Sequence, residues 1–196
     1  MVIGITGGIG SGKSTVLNIL KEKYNAYIID ADKTAHRLMK PGGEAYHKIK
    51  AYFGDSVIDK TGYIDRKVLG QIVFSHKEKL NALNEIVHPA VKKDIIKEIA
   101  DIKAIDTGRL IAVEAALFIE AGYMDICDKL WYIYTDDEVR IQRLMSSRGY
   151  SREKAVSIIE NQLTDKEFRK HSNVIINNGS SFEETLMQIA NNIEKG

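Results

Sequence analysis

The chain has one cysteine, two prolines, one tryptophan and a net charge of only +1. Each shortage excludes something. A single thiol, Cys127, leaves no internal disulfide framework and fits a reducing compartment. It reads as a small apolar residue rather than a nucleophile. A balance of 28 basic and 27 acidic residues gives no global field toward nucleic acid or an anionic membrane. No apolar run approaches the roughly 20 residues that span a bilayer. The first residues already read as a core strand, so no signal peptide is expected. These absences lead to the expectation of a cytoplasmic protein that binds neither nucleic acid nor membrane. No internal repeat or low-complexity segment interrupts the pattern. Both prolines read as punctuation: Pro41-Gly42-Gly43 as a turn, His88-Pro89 as a break between two helices.

What is present is concentrated at the start. The apolar run Val2-Ile3-Gly4-Ile5-Thr6 flows into Gly7-Gly8-Ile9-Gly10-Ser11-Gly12-Lys13-Ser14-Thr15, and an amphipathic segment, Val16 to Tyr24, follows. This is G-x-x-x-x-G-K-S between a strand and a helix, the context a phosphate-binding loop requires. Glycines let successive N–H groups turn toward phosphate oxygens. The helix starting near Lys13 adds its positive end. The Lys13 ammonium can reach the β- and γ-phosphates, and the Ser14 hydroxyl can ligate Mg²⁺. A nucleoside triphosphate with magnesium is therefore expected at residues Gly8 to Thr15.

Strand-like runs at Val2–Thr6, Ala26–Ile29, Leu110–Val113, Lys129–Tyr134 and Val174–Ile176 alternate with helical patterns. That predicts an α/β fold, a parallel five-stranded sheet with helices on both faces, with ligands at the carboxyl ends of the strands. Two stretches break the alternation. Ala31 to about Lys103 reads as helices only: Asp32–Met39, Gly43–Phe53, Asp65–Phe74 and a pair around His88-Pro89. Val139 to Arg169 is helical and carries Arg140, Arg143, Arg148, Arg152 and Lys154, a pattern fit for an arginine-bearing lid over triphosphate. The expected division is a nucleotide-binding core at 1–30, 104–138 and 171–196, a helical acceptor-binding insertion at 31–103, and a lid at 139–170.

Several acids stand where chemistry would need them. Asp30-Ala31-Asp32 follows the second strand. Asp32 is the choice for orienting and deprotonating an acceptor hydroxyl, against the plainer role of capping the next helix. Leu110 to Glu114 is an apolar run ending in an acid, the shape of a metal-holding strand, so Glu114 joins Ser14 as a metal ligand candidate. Glu120 lines the acceptor pocket or begins a surface turn. His88 is placed near the acceptor. Asn177-Asn178-Gly179 reads first as a turn, and Asn178 and Gly179 are candidates to lie against the nucleotide base.

Together these segments resemble the dephospho-coenzyme A kinase family nearly end to end. Ile5 to Thr15 is similar to its opening, and Asp30-Ala31-Asp32 to its D-A-D signature. Leu83-Asn84-Glu85-Ile86-Val87-His88-Pro89 resembles its L-N-x-h-h-H-P segment (h, apolar), and Leu117-Phe118-Ile119-Glu120-Ala121-Gly122 its L-L-F-E-x-G segment. Arg140 to Arg152 resembles its lid, and Val174 to Ser180 its last strand and turn. The resemblance implies transfer of the ATP γ-phosphate to the ribose 3′-hydroxyl of dephospho-coenzyme A. It implies a single kinase unit acting on small molecules, a monomer or weak homo-oligomer. It brings Thr6, Asp32 and Arg143 to the reacting groups, with Asp32 as general base, and His88 and Glu120 to the acceptor pocket. The chain departs from the family pattern in three places. Glu114 stands for Asp and Ala116 for Pro, and where the second lid arginine is expected stands Ser147, followed by Arg148, so that either the lid is shifted by one residue or Arg148 does not reach phosphate. Two other readings compete. A kinase of another small alcohol, such as a nucleoside or a shikimate-like acceptor, would keep the loop and lid. A GTP-dependent switch would need Asp59-Lys60-Thr61-Gly62 to serve as D-x-x-G, and no N-K-x-D segment accompanies it.

Overall fold

The computed structural model describes residues 1–194. Five strands form one sheet: β1 (Val2–Thr6), β2 (Tyr27–Asp30), β3 (Ile111–Glu114), β4 (Lys129–Tyr134) and β5 (Val174–Asn177). Their order is β2-β3-β1-β4-β5, and the β1–β3, β1–β4 and β4–β5 pairs are parallel. The strand-like runs of the sequence coincide with these five to within a residue at each end. The helices are α1 (Lys13–Tyr24), α2 (Ala31–Leu38), α3 (Glu44–Phe53), α4 (Arg66–Phe74), α5 (Lys77–Ile105), α6 (Asp137–Arg148), α7 (Arg152–Glu160), α8 (Asp165–His171) and α9 (Phe182–Glu194).

The chain divides into two compact units, one of residues 1–29 with 106–196, the other of Asp30–Ile105. In the first, β1 is the central strand, and its side chains alternate as a pleated strand requires. Ile3 and Ile5 enter a core with Val16, Leu17 and Leu20 of α1, Trp131 and Ile133 of β4, and Ile189 of α9. The intervening Gly4 faces Phe118 and Leu130 so closely that an added Cβ would meet them at 2.5 and 2.9 Å. Each fully buried Ile or Leu here contributes about 1.5–3 kcal/mol. That core holds β1 rigidly, and β1 ends where the glycine-rich loop begins.

The second unit is all helix apart from one antiparallel bridge between Ile58 and Ile64. The expected pair of helices around His88-Pro89 is instead one helix, α5, with Pro89 inside it. An interior proline loses a backbone hydrogen bond and crowds the preceding turn, at about 3 kcal/mol. Packing overrides that penalty. Ala90, Val91, Ile95 and Ile99 are buried along α5, which packs against α2, α3 and α4.

Candidate active site

The loop after β1 is shaped by glycine where side chains cannot go. Gly10 and Gly12 have φ of 79° and 85°, a region open mainly to glycine. A Cβ on Gly8 would run into the Arg140 guanidinium, and one on Gly12 into the Asn178 amide. The loop therefore curls with other side chains pressed against its backbone. Gly12 is also the N-cap of α1 and supplies no capping side chain, and the first turn of α1 holds no acid. The positive end of the helix is left for an external anion. The Lys13 ammonium bends back and donates to the Gly7 carbonyl at 2.9 Å, which holds it over the loop.

Two buried hydroxyls at this place have no hydrogen-bond partner among the described residues, Thr6 Oγ1 and Ser11 Oγ. Thr6 is 0% exposed and Ser11 1%. An unsatisfied buried hydroxyl costs about 1–3 kcal/mol, and such groups call for an explanation. They cluster where β1 meets the loop.

The loop is fastened from outside by five side chains. Arg140 on α6, only 7% exposed, donates through Nε to the Ile9 carbonyl at 2.9 Å and through Nη2 to Gln162 Oε1 at 2.7 Å. Gln162 Oε1 also accepts from the Ile9 N–H at 2.9 Å. Arg140 Nη1 meets Asp137 at 2.7 Å. The Ser11 carbonyl accepts from Thr135 Oγ1 at 3.0 Å, from Asn178 Nδ2 at 2.8 Å and from Arg143 Nη1 at 3.3 Å. Arg143 Nη2 donates to the Asn178 carbonyl at 2.8 Å. All of Arg143's partners are neutral, so its charge stays uncompensated by any described carboxylate.

The sequence-expected residues fall out as follows. Ser14 is exposed on the first turn of α1, and Glu114 ends β3 one position short of alignment with Thr6, opposite Ile5. Asp30, not Asp32, caps α2: its carboxylate accepts from the Lys33 N–H at 2.9 Å. Asp32 is exposed in the first turn of α2 and takes no hydrogen bond or ion pair from any described residue. Glu120 is exposed in the turn after β3. Asn178 is 6% exposed and its side chain bonds the loop and Thr185. The Gly179 N–H donates to Asn177 Oδ1 at 3.0 Å. His88 lies on α5, and burial holds its imidazole below the ordinary value.

Of the basic run only Arg140 and Arg143 reach the loop. Arg152 pairs with Glu138 at 2.6 Å, and Lys154 lies over the Tyr150 ring. Arg148 is exposed, while the Ser147 hydroxyl donates to the Arg143 carbonyl at 2.6 Å inside α6. Asp59 accepts from the Thr61 and Tyr63 N–H groups at 2.8 and 3.0 Å, so the D-x-x-G match is a self-closed turn of the helical unit. Arg140, Gln162 and Thr135 were not singled out as site residues. Their partners lie far along the chain, and no local spacing announces them.

The family model of dephospho-CoA kinase matches residues 1–184. The chain belongs to the dephospho-CoA kinase family. A dephospho-CoA kinase of Carboxydothermus hydrogenoformans is 40% identical over 194 residues, covering 99% of this chain and 93% of the relative. The dephospho-CoA kinase of Saccharomyces cerevisiae is 35% identical, with 100% of this chain and 82% of the relative covered. Among solved structures, a dephospho-CoA kinase from Campylobacter jejuni aligns with a TM-score of 0.72 at 29% identity, covering 99% and 96% of the two chains. A shikimate kinase from Acinetobacter baumannii aligns over 99% and 91% at a TM-score of 0.54 but 14% identity, which shows a shared fold alone. Within the dephospho-CoA kinase family, then, this chain carries Glu114 at the end of β3 and the Arg140–Gln162 clasp on its phosphate loop.

Proposed function

We propose that this chain transfers the γ-phosphate of ATP to the ribose 3′-hydroxyl of dephospho-coenzyme A, giving coenzyme A and ADP, the last step of coenzyme A synthesis. The family membership names the reaction. The observation that carries it here is the uncapped, externally clasped loop with Lys13 folded over it. Phosphoryl transfer asks little covalent work of a protein and a great deal of positioning and charge. The α1 N-terminus, the loop N–H groups and Lys13 cradle the β- and γ-phosphates. Arg143, whose present partners are carbonyls and a hydroxyl, is free in charge to neutralise the transferring group. Asn178 and Gly179 act on the ATP side by fixing the loop's outer edge.

On the acceptor side Asp32 orients the 3′-hydroxyl and takes its proton as the new P–O bond forms and the γ–β bridge bond breaks. Its exposure and lack of any other bond suit a group that waits for substrate. Thr6, with its buried and unsatisfied hydroxyl, stands at the end of β1 beside the reacting phosphate. His88 and Glu120 belong to the acceptor's surroundings.

Magnesium fits this donor set as a passenger on the nucleotide. No group of three His, Cys, Asp or Glu gathers among the described residues, so there is no all-protein cage of the kind calcium uses. A metal held chiefly by phosphates, with one or two protein oxygens, matches magnesium's habits. Ser14 and Glu114 are the residues that would hold it, and when bound it neutralises charge on the β- and γ-oxygens.

ADP release measured across an acceptor panel tests the reading. Dephospho-coenzyme A is expected to exceed nucleosides and shikimate by a wide margin in kcat/KM. A nucleoside or shikimate as the best acceptor overturns it.

A further inference from the structure

Within the helical unit, a cavity of about 350 Å³ is lined by His36, Met39, Lys40, Tyr63, Ile64 and Arg66. Three of the six are basic side chains and none is acidic. His36, Lys40 and Arg66 are all exposed, and none of them forms an ion pair or side-chain hydrogen bond with a described residue. Several cations of the same unit are paired instead. Lys33 pairs with Asp30 at 3.0 Å, Lys93 and Lys48 with Glu44 at 2.9 and 3.2 Å, Lys50 with Asp55 at 3.1 Å, and Arg37 with Asp94.

The two acids flanking Tyr63 to Arg66 are committed elsewhere. Asp65 caps α4, accepting from the Lys67 and Val68 N–H groups at 2.9 and 3.1 Å. Asp59 Oδ1 closes the turn before Tyr63. That turn is fixed in place, since the Tyr46 hydroxyl donates to the Gly62 carbonyl at 2.6 Å. The result is a preformed wall, with the 49% exposed Tyr63 ring beside the His36 imidazole and two uncompensated cations, Lys40 and Arg66. An anion with a flat or apolar neighbour is what such a lining accepts.

The helix also sets a ruler. Asp32, His36 and Lys40 are spaced i, i+4 and i+8 along α2 and the turn just past its end. At about 1.5 Å rise per residue, His36 lies about 6 Å along the axis from Asp32 and about 40° away in azimuth, and Lys40 follows just past the helix end. A ribose 3′-hydroxyl and the 5′-diphosphate of the same nucleotide are separated by a distance of this order.

We infer that this cavity holds the diphosphate of the acceptor, with Lys40 and Arg66 as its cationic contacts, the His36 ring as a hydrogen-bond donor and Tyr63 against the adjoining group. The inference rests on the reading of the chain as a dephospho-coenzyme A kinase and on Asp32 as the group at the 3′-hydroxyl. It makes His36, Lys40 and Arg66 acceptor-specificity residues with no part in binding ATP.

Steady-state kinetics of the full chain test it. In the double variant K40Q/R66Q, KM for dephospho-coenzyme A should rise by about tenfold or more, the effect of losing charge-assisted bonds. The kcat at saturating acceptor and KM for ATP should stay within about twofold. His36→Gln should move in the same direction by less, and Arg66→Lys should keep most of the wild-type KM. An unchanged acceptor KM, or a fall in kcat with KM unmoved, overturns the inference. If the double variant melts early, Lys40→Gln alone decides, since Lys40 lies beyond the end of α2. A wild-type chain that does not turn over dephospho-coenzyme A overturns the functional reading instead. A wild-type chain that does, with indifferent variants, overturns only the assignment of this cavity.

Discussion

The two regions proposed to hold anions are built in opposite ways. At the phosphate loop, nearly every polar group of the surroundings is already engaged: the Ser11 carbonyl takes three donors, and Ile9 is held through both its N–H and its carbonyl. In the helical unit, the cations around the cavity of Arg66 stand without partners in water. The difference follows from the charge each has to hold. A triphosphate loop must keep its backbone N–H groups aimed before the ligand arrives, so its shape is locked by side chains outside it. That preorganisation is what makes such dipoles effective. A cavity that binds through long, charged side chains needs only that no carboxylate occupies them first. The lesson is that buried clasps and exposed, uncompensated charge are separate signatures of the same task, and each predicts a different response to mutation.

The largest effect belongs to the locked side. Lys13→Ala should lower kcat/KM by about a thousandfold, on the scale of removing a single transition-state donor. Lys13 is half-exposed and donates to the loop carbonyls of Gly7 and Gly8, so the melting temperature should move far less than turnover. Near wild-type turnover in the variant would remove the loop from the chemistry. Next comes Asp32→Asn, expected to cost about a hundredfold in kcat, the usual worth of a positioned base, with ATP affinity retained. If ATP binding weakens as much as turnover falls, Asp32 belongs with the donor cradle and the contrast between the two regions loses its acceptor half.

How much of this was legible in the sequence depended on how local the cause was. The loop from Gly7 to Thr15 was plain, because glycine spacing, Lys13 and the start of α1 all lie within one short segment. The strands were plain for the same reason. Pro89 misled: its local cost to a helix is real, but the burial of Ala90, Val91, Ile95 and Ile99 is a tertiary matter that no local rule counts. The cap of α2 went to Asp30 rather than Asp32, a distinction of two positions that leaves the Asp32 carboxylate without a partner among the described residues. The clasp was invisible. Arg140, Thr135 and Gln162 reach Ile9 and Ser11 from more than a hundred residues away, and a basic helix face alone does not say which arginine turns inward. The cavity of the helical unit draws on α2, the turn after it and the start of α4, so its charge pattern exists only once those segments pack.

The clasp itself offers a third break in the comparison. Arg140→Ala removes a nearly buried guanidinium, leaves the Ile9 carbonyl and Asp137 without their donor, and takes one of two donors from Gln162 Oε1. Stability should fall by on the order of 2–3 kcal/mol. The fall in ATP affinity should exceed any change in acceptor KM, because the loop is loosened while the helical unit is untouched. Equal losses for both substrates would mean that the clasp does more than shape the loop.

The smallest effect lies on the outer face of the same helices and isolates charge from preorganisation. The Arg152 guanidinium, with help from the Gln142 amide, holds the Glu138 carboxyl down to about 2 from an ordinary 4.5. A depressed carboxyl stabilises the fold above its unfolded value and loses that contribution as pH falls through its folded value. The pair should therefore be intact at neutral pH and vanish between about 4.5 and about 2. Both side chains are half in solvent, at 49% and 54% exposure, where entropy and screening erase most of an ion pair's worth. Arg152→Gln should then return the Glu138 titration midpoint toward 4.5, followed by carboxyl NMR, with only a slight change in melting temperature at neutral pH. A large melting change would mean that the α6–α7 corner depends on this pair as the loop depends on Arg140. A small one leaves the distinction standing: α6 fastens the loop through its buried arginine, and its exposed charges are surface.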